Sequence, residues 1–307
     1  MSTATPELVS ERTRSPRRIR GTGFVWLLVL PGLAMLVAVV LYPLLRSIAM
    51  AFFDESLLYP GREFVGLENF TAVLSEDFPQ LLWQTLIFTV GATVLPLLIG
   101  LALALALDTG IRGRGAMRGM FLFPWLLPSV VVSFLWSWIF DANYGVLNGL
   151  LQSLSLIDAP VAWLFDTEAA RAGLILAKTW NSFPWIMVML LAALQTVPSE
   201  LKEAASIDGA GAIRRFRTVT WPHIAGVTGI VLLLEVIWNF QHFDLIYVMT
   251  GGGPAGTTST LATALYEAAF SAYDLGDAGA IGVLWIILLM AMVVVYVQLS
   301  ERREEPS

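Results

Sequence analysis

The sequence predicts an all-α integral membrane protein of six transmembrane helices. Two observations carry that reading. Hydrophobic side chains make up 57% of the 307 residues and charged ones only 14%, against roughly a quarter charged in soluble chains. The apolar residues also fall in long blocks, and six of these reach the ~20 residues that cross a bilayer. The absence of cysteine excludes disulfides, thiolate metal sites and cysteine nucleophiles. Two histidines, His223 and His242, are too few for a multi-histidine metal centre.

The spans follow in order as Gly23–Ala51, Leu81–Leu107, Gly119–Phe140, Ala169–Leu194, His223–Met249 and Gly279–Leu299. Charge, glycine, proline or short polar segments bound each one. Five arginines (Arg12, Arg14, Arg17, Arg18, Arg20) precede the first span. They would suit a signal peptide, but the apolar stretch is longer than a signal core and no small-x-small site closes it, so an uncleaved helix is expected. Prolines at positions 31, 43, 96, 124, 128 and 184 fall inside the spans. In a membrane bundle neighbouring groups re-satisfy the freed carbonyls, so these positions predict kinked helices.

Orientation follows from Lys and Arg. Besides the five arginines of the tail, Arg112, Arg114 and Arg118 follow span two. Lys202, Arg214, Arg215 and Arg217 lie between spans four and five, and Arg302 and Arg303 end the chain. All of these fall on one side of the membrane, and most loop acids fall on the other. An even number of spans with both termini cytoplasmic satisfies this partition. The domains are then a cytoplasmic tail over residues 1–22, a six-helix domain over 23–300 with a cytoplasmic loop at 195–222, and a second tail at 301–307. The arginines of the first tail serve as a topology signal, and anionic lipid headgroups are a second partner open to them.

The 195–222 loop has its own pattern. Leu201 to Ile207 is rich in helix formers. Asp208-Gly209 is a turn signal, because glycine adopts positive φ without steric cost. Ala212 to Val219 forms a second short helix, and Pro222 suits the first turn of span five. The result is a helix–turn–helix bracket with small residues at its corner. It fits either a docking knob or an amphipathic connector lying on the membrane.

Three stretches resemble a known family. Glu203-Ala204-Ala205, Asp208-Gly209-Ala210, Phe216 and Pro222 match the EAA loop of permease subunits of bacterial ABC importers, with Trp221 in place of the usual apolar residue before the proline. Phe243 to Pro254, with Thr250-Gly251-Gly252-Gly253-Pro254 at its end, resembles the carbohydrate-uptake branch, the maltose-permease-like subunits. Val65-Gly66-Leu67-Glu68-Asn69-Phe70 resembles the loop after span one of that branch. The resemblance implies a type I importer bundle in the bacterial cytoplasmic membrane. It also implies that Glu203, Ala204, Ala205, Asp208, Gly209, Ala210 and Phe216 dock on a separate ATPase. The implied partners are a second permease (usually a distinct homologue), two ATPase subunits, an extracytoplasmic solute-binding protein and membrane lipid, with no nucleic acid. ATP and Mg belong to the ATPase subunits, and this chain binds no cofactor. Its residues agree with that division, since Ala177-Lys178-Thr179 lacks the glycines of a P-loop.

Ionisable groups at membrane depth point to function by default. Glu235, Trp238, Asn239 and His242 share one face of span five, and Lys178, Asn181, Ser182 and Trp185 share one face of span four. Amides and carboxylates for hydroxyls beside aromatic rings for C–H faces form the mix that a sugar requires. Lys178, Asn181, Trp185, Glu235, Trp238, Asn239 and His242 are therefore the candidate substrate pathway, with interhelical bonding as the competing role. The outer segments Phe52–Gln80, Asp141–Glu168 and Thr250–Asp277 are candidates for meeting a binding protein.

The expected function is import of a di- or oligosaccharide-type solute. A glycerol-phosphate-type solute is the second reading, kept open by Lys178 and Arg171. An ion-coupled secondary transporter would leave the 195–222 pattern unexplained, and scattered acids with few histidines argue against a membrane enzyme.

Overall fold

The computed structural model describes residues 22–75, 77–109 and 113–304, with side chains from 26 to 298 within that set. The tail arginines 12 to 20, Arg112, and the side chains of Arg302 and Arg303 lie outside the described residues. The chain divides into two units, residues 1–47 and 48–307.

The first unit carries α1 (Thr22–Leu36), a π-helical stretch (Val37–Leu41) and most of α2 (Tyr42–Met50). Together they form an apolar helix, Trp26–Met50, long enough to span. The widened stretch begins six residues after Pro31 and ends two residues before Pro43. Added turns of this kind absorb a proline without ending a helix.

The second unit opens on a part that sequence periodicity did not foresee. β1 (Phe53–Glu55) and β2 (Arg62–Phe64) pair antiparallel, with Phe53 opposite Phe64. α3 (Glu68–Ser75) follows. Asn69 Nδ2 donates to the carbonyls of Ala51 at 3.1 Å and Phe53 at 2.9 Å. The Val65–Phe70 motif is thus a clamp on the chain leaving the first span, and Gly66, at φ +65, turns into it.

α4 (Phe78–Asp108) and α8 (Thr167–Leu194) cross the membrane as long helices. They make the broadest helix–helix contact in the fold. Small residues allow the approach. A Cβ on Gly91 would come within 2.6 Å of Ile175 Cδ1, and one on Gly100 within 2.9 Å of Ile186 Cγ2. α8 starts where Asp166 accepts the free N–H groups of Glu168 and Ala169. Pro96 and Pro184 lie inside these helices without breaking them.

The expected third span, Gly119–Phe140, is not one helix. It consists of α5 (Arg114–Leu126) and α6 (Ser129–Ile139), bent by 94°. Leu127 precedes proline and is extended, with ψ 135, and Pro128 has no N–H to continue the ladder. The carbonyl that Pro128 would have engaged, that of Pro124, instead accepts from Asn181 Nδ2 at 2.8 Å. The described residues therefore hold five long apolar helices, or six spans when the bent pair counts as one. After α6, Asp141 accepts the N–H groups of Asn143 and Tyr144, which holds its carboxyl below the ordinary range. α7 (Val146–Ser153) is pinned by buried Asn148, which bonds Ala142, Val161 and Trp163.

Span five is also shorter at one end than expected. Helix runs from α10 (Ala212–Arg215) through a π-helical stretch (Phe216–Thr220) into α11 (Trp221–Phe240), and stops there. Gln241 to Phe243 break it, and α12 (Asp244–Thr250) is a separate short helix packed on α6. Gly251, at φ +59, caps α12, its N–H meeting the carbonyls of Ile246 and Tyr247. α13 (Leu261–Phe270) begins with a Thr260/Thr263 capping box and packs on α14 (Leu275–Glu304).

Candidate functional site

Two regions flank α11, one at each end. At its N-terminal end lies the bracket. α9 (Ser199–Ile207) ends in a tight turn in which Gly209 sits at φ +76. Ala210 N–H reaches back to Ala205 O at 2.9 Å, and Gly209 N–H to Ser206 O at 3.1 Å. Arg215 Nη1 donates to Ser206 Oγ at 2.9 Å and locks the two arms together. Lys202 Nζ lies 3.1 Å from Asp108 Oδ2, tying α9 to the last residue of α4. Glu203, Ala204, Asp208 and Gly209 are exposed, and Ala205 and Ala210 are half-buried. Ile207 and Ile213, at 87% and 72% exposed, project from the corner. The corner therefore presents an apolar tip on a polar turn. Phe216 differs from the other motif residues. It is partly buried against the core of Leu107, Leu190 and Leu194, where it anchors the bracket to the bundle.

The polar stripe runs along α8 and α11. Lys178, Ser182, Glu235 and Asn239 are all buried. Asn239 Nδ2 donates to Glu235 Oε2 at 3.1 Å, to Thr93 Oγ1 at 3.1 Å and to Ala92 O at 3.0 Å. Trp185 and Trp238 meet edge to face at 5.0 Å, so the expected faces of spans four and five do converge. His242 stacks on Phe88 with ring centres 6.0 Å apart. Asn181 turns to the Pro124 carbonyl instead, which spends its N–H on holding the helix break.

α4 completes the stripe, and the sequence reading overlooked it. Thr85, Thr89 and Thr93 are buried and stand four residues apart on one face. That spacing in an otherwise apolar span was the available signal. Three buried atoms here have no partner: Thr89 Oγ1, Asn239 Oδ1 and His242 Nε2. Buried polar atoms are nearly always satisfied, so these three stand out as hydrogen-bonding groups still open along the stripe. Arg171 is committed elsewhere. It bonds Gln84 Oε1 at 3.0 Å, Thr257 O at 3.1 Å and Glu168 at 2.6 Å, and so clamps the glycine-rich loop to α4 and α8. In that loop Thr258 Oγ1 closes on Gly253 O at 2.6 Å. Gly252, at φ +87, has Ser259 Oγ where a Cβ would stand.

Several apolar spans around a buried polar stripe, with a projecting bracket at one end, are the architecture of a multi-pass membrane protein. Residues 97–305 match the family of binding-protein-dependent transport system inner membrane components, and the chain belongs to that family. It is the permease subunit of an ABC importer, a multi-pass protein of the inner membrane, and the ATPase activity resides in other subunits. It is 33% identical to the trehalose/maltose transport system permease protein of Thermococcus litoralis, over 91% of this chain and 94% of that one. It is 34% identical to the sulfoquinovosyl glycerol transport system permease protein of Agrobacterium fabrum, over 91% and 90%. Its fold is similar to a solved bacterial ABC transporter involved in import of the acidic polysaccharide alginate, with TM-score 0.79, 20% identity and coverage of 92% and 96%.

Proposed function

We propose that this permease carries a neutral di- or oligosaccharide-type solute, handed over by an extracytoplasmic binding protein. It works with a second, homologous permease and two ATPase subunits that hold ATP and Mg. The observation that carries the reading is the stripe of Lys178, Glu235, Asn239 and His242 beside the Trp185–Trp238 pair, with Asn239 Oδ1, His242 Nε2 and Thr89 Oγ1 unpaired. Hydroxyls take up such amide, imidazole and hydroxyl groups, and the indoles take the C–H face of a pyranose. The names of the relatives support a sugar-type cargo.

Glu203, Ala204, Ala205, Asp208, Gly209 and Ala210 form the surface that seats in the ATPase, and Phe216 positions it. The Lys and Arg distribution supports placing this bracket and both termini in the cytoplasm, with tails at 1–22 and 301–307 around a 23–300 domain. Membrane lipid surrounds the spans.

A glycerol-phosphate solute is the second reading, since the chain is 32% identical to the sn-glycerol-3-phosphate permease protein of Agrobacterium fabrum. Arg171 is engaged by Gln84, Thr257 and Glu168, which leaves Lys178 as the basic group that carries this reading. The test is to purify the chain gently from its membrane and identify what comes with it. ATPase activity and uptake are then assayed with trehalose, maltose, maltotriose and glycerol 3-phosphate, each with the co-purified binding protein. Stimulation by a neutral sugar is expected. Stimulation by glycerol 3-phosphate alone would replace the carbohydrate reading. Recovery of the chain alone, transporting without ATP, would remove the importer reading.

A further inference from the structure

Beyond α11 the chain builds a second aromatic surface that the stripe does not use. Phe243 and Tyr247 stack at 4.9 Å with planes 20° apart. Tyr266 joins both, at 4.9 Å from Phe243 and 4.7 Å from Tyr247. Phe270 extends the row, 4.9 Å from Tyr266. The four rings come from α12, the residue just before it, and α13, and they hold one another in place, yet Tyr247 remains 40% and Phe270 61% exposed. α11 has 20 residues, so the row lies ~30 Å from the bracket end of that helix, at the opposite mouth of the bundle.

Its rim is polar. Asp244 stands one turn before Tyr247, Glu267 follows Tyr266, and Gln241 begins the segment, all three exposed. A lipid chain or an apolar helix would leave these groups facing hydrocarbon. A sugar ring uses both parts: its C–H face covers the aromatic rings while its hydroxyls bond the carboxylates and amide. The row also lies next to the stripe in the chain: Phe243 follows His242 directly, and exposed Trp238 stands near the end of α11 just before them.

We infer that Phe243, Tyr247, Tyr266 and Phe270 form a stacking subsite for a pyranose ring at the outer mouth, which receives the solute before it reaches Trp185 and Trp238. The inference rests on the carbohydrate reading above and adds a charge preference to it. Two carboxylates on the rim favour uncharged sugars over uronates and phosphates.

The test uses the whole importer in proteoliposomes with its binding protein, and whichever of trehalose, maltose or maltotriose stimulates its ATPase most. Tyr247→Leu with Tyr266→Leu keeps apolar bulk and removes the rings, whereas Tyr247→Phe with Tyr266→Phe keeps the rings. The Leu pair should raise the KM for uptake by about fivefold to tenfold with kcat within about twofold, and the Phe pair should stay close to wild type. Because the chain has no cysteine, F270C offers a single thiol, and the sugar-loaded binding protein should shield it from a charged, membrane-impermeant thiol reagent. Three results overturn the inference: wild-type uptake by the Leu pair, loss of the second permease from the purified Leu-pair complex, or labelling of F270C that sugar does not slow. If none of the three sugars stimulates or is transported, the carbohydrate reading itself has failed and this subsite falls with it. If sugar is transported and a Trp238→Leu control is impaired while the Leu pair is not, only the subsite falls.

Discussion

Gly209 offers the sharpest test of how the bracket works. Its φ of +76 lies in the left-handed region, and nothing lies within 4 Å of where a Cβ would stand. A substitution there is therefore opposed by the backbone alone. Alanine in this region costs about 1–2 kcal/mol, which lowers the occupancy of the turn by about fivefold to thirtyfold. Proline is worse on two counts. Its φ is held near −65°, and it deletes the N–H that meets Ser206 O at 3.1 Å, for a cost of about 3 kcal/mol or more. Asparagine tolerates the left-handed region and should retain most of the turn. The assay is sugar uptake per ATP hydrolysed in proteoliposomes containing the whole importer. The expected order is wild type, Gly209→Asn, Gly209→Ala, then Gly209→Pro, with the Pro variant hydrolysing ATP at its basal rate and transporting almost nothing. A Gly209→Pro complex that assembles and transports with wild-type stoichiometry would refute the claim that this turn transmits the stroke.

Asn239→Ala combined with His242→Ala should lower uptake by about tenfold, on the order of one lost ligand hydrogen bond, while the complex still purifies intact; loss of assembly instead would make these residues interhelical glue. Asn69→Ala strips hydrogen bonds from the Ala51 and Phe53 carbonyls and should cost about 2 kcal/mol, read as a lower unfolding temperature in detergent with transport preserved when cool. Reversing one partner of the Lys202–Asp108 pair should weaken coupling, and reversing both should restore it. The pair is part-exposed, so an effect of about 0.5–1 kcal/mol is expected, and a double reversal no better than either single change would show that the pair does not link α9 to α4.

Much of this molecule was legible in the chain because hydrophobicity acts locally and periodically. Long apolar runs must be helices in a bilayer, where no water satisfies a bare backbone. The bracket was legible for a related reason: Asp208-Gly209 sets a turn through the conformational freedom of one residue, and Pro222 suits the first turn of the next helix. The i, i+4 spacing likewise placed Glu235 and Asn239 together, and they do share a hydrogen bond.

What escaped the sequence reading depended on which neighbour arrives. Prolines 96, 128 and 184 look alike in the chain, yet only Pro128 marks a 94° bend. There Leu127 is extended and a side chain from α8, Asn181, is at hand to donate to the Pro124 carbonyl. The same bond removes Asn181's N–H from the candidate stripe. Threonines 85, 89 and 93 show a four-residue spacing in the chain, but only the fold shows that this face is buried and that Thr93 meets Asn239 of α11. Arg171 looked available to an anionic solute until the glycine-rich loop folded back and engaged it. The sequence by itself determined a helical membrane bundle of several spans and its bracket, because those follow from local hydrophobicity and turn chemistry. Only the tertiary structure decided which polar groups are already spent on one another and which remain open, because hydrogen-bond satisfaction is a property of pairs brought together from distant parts of the chain.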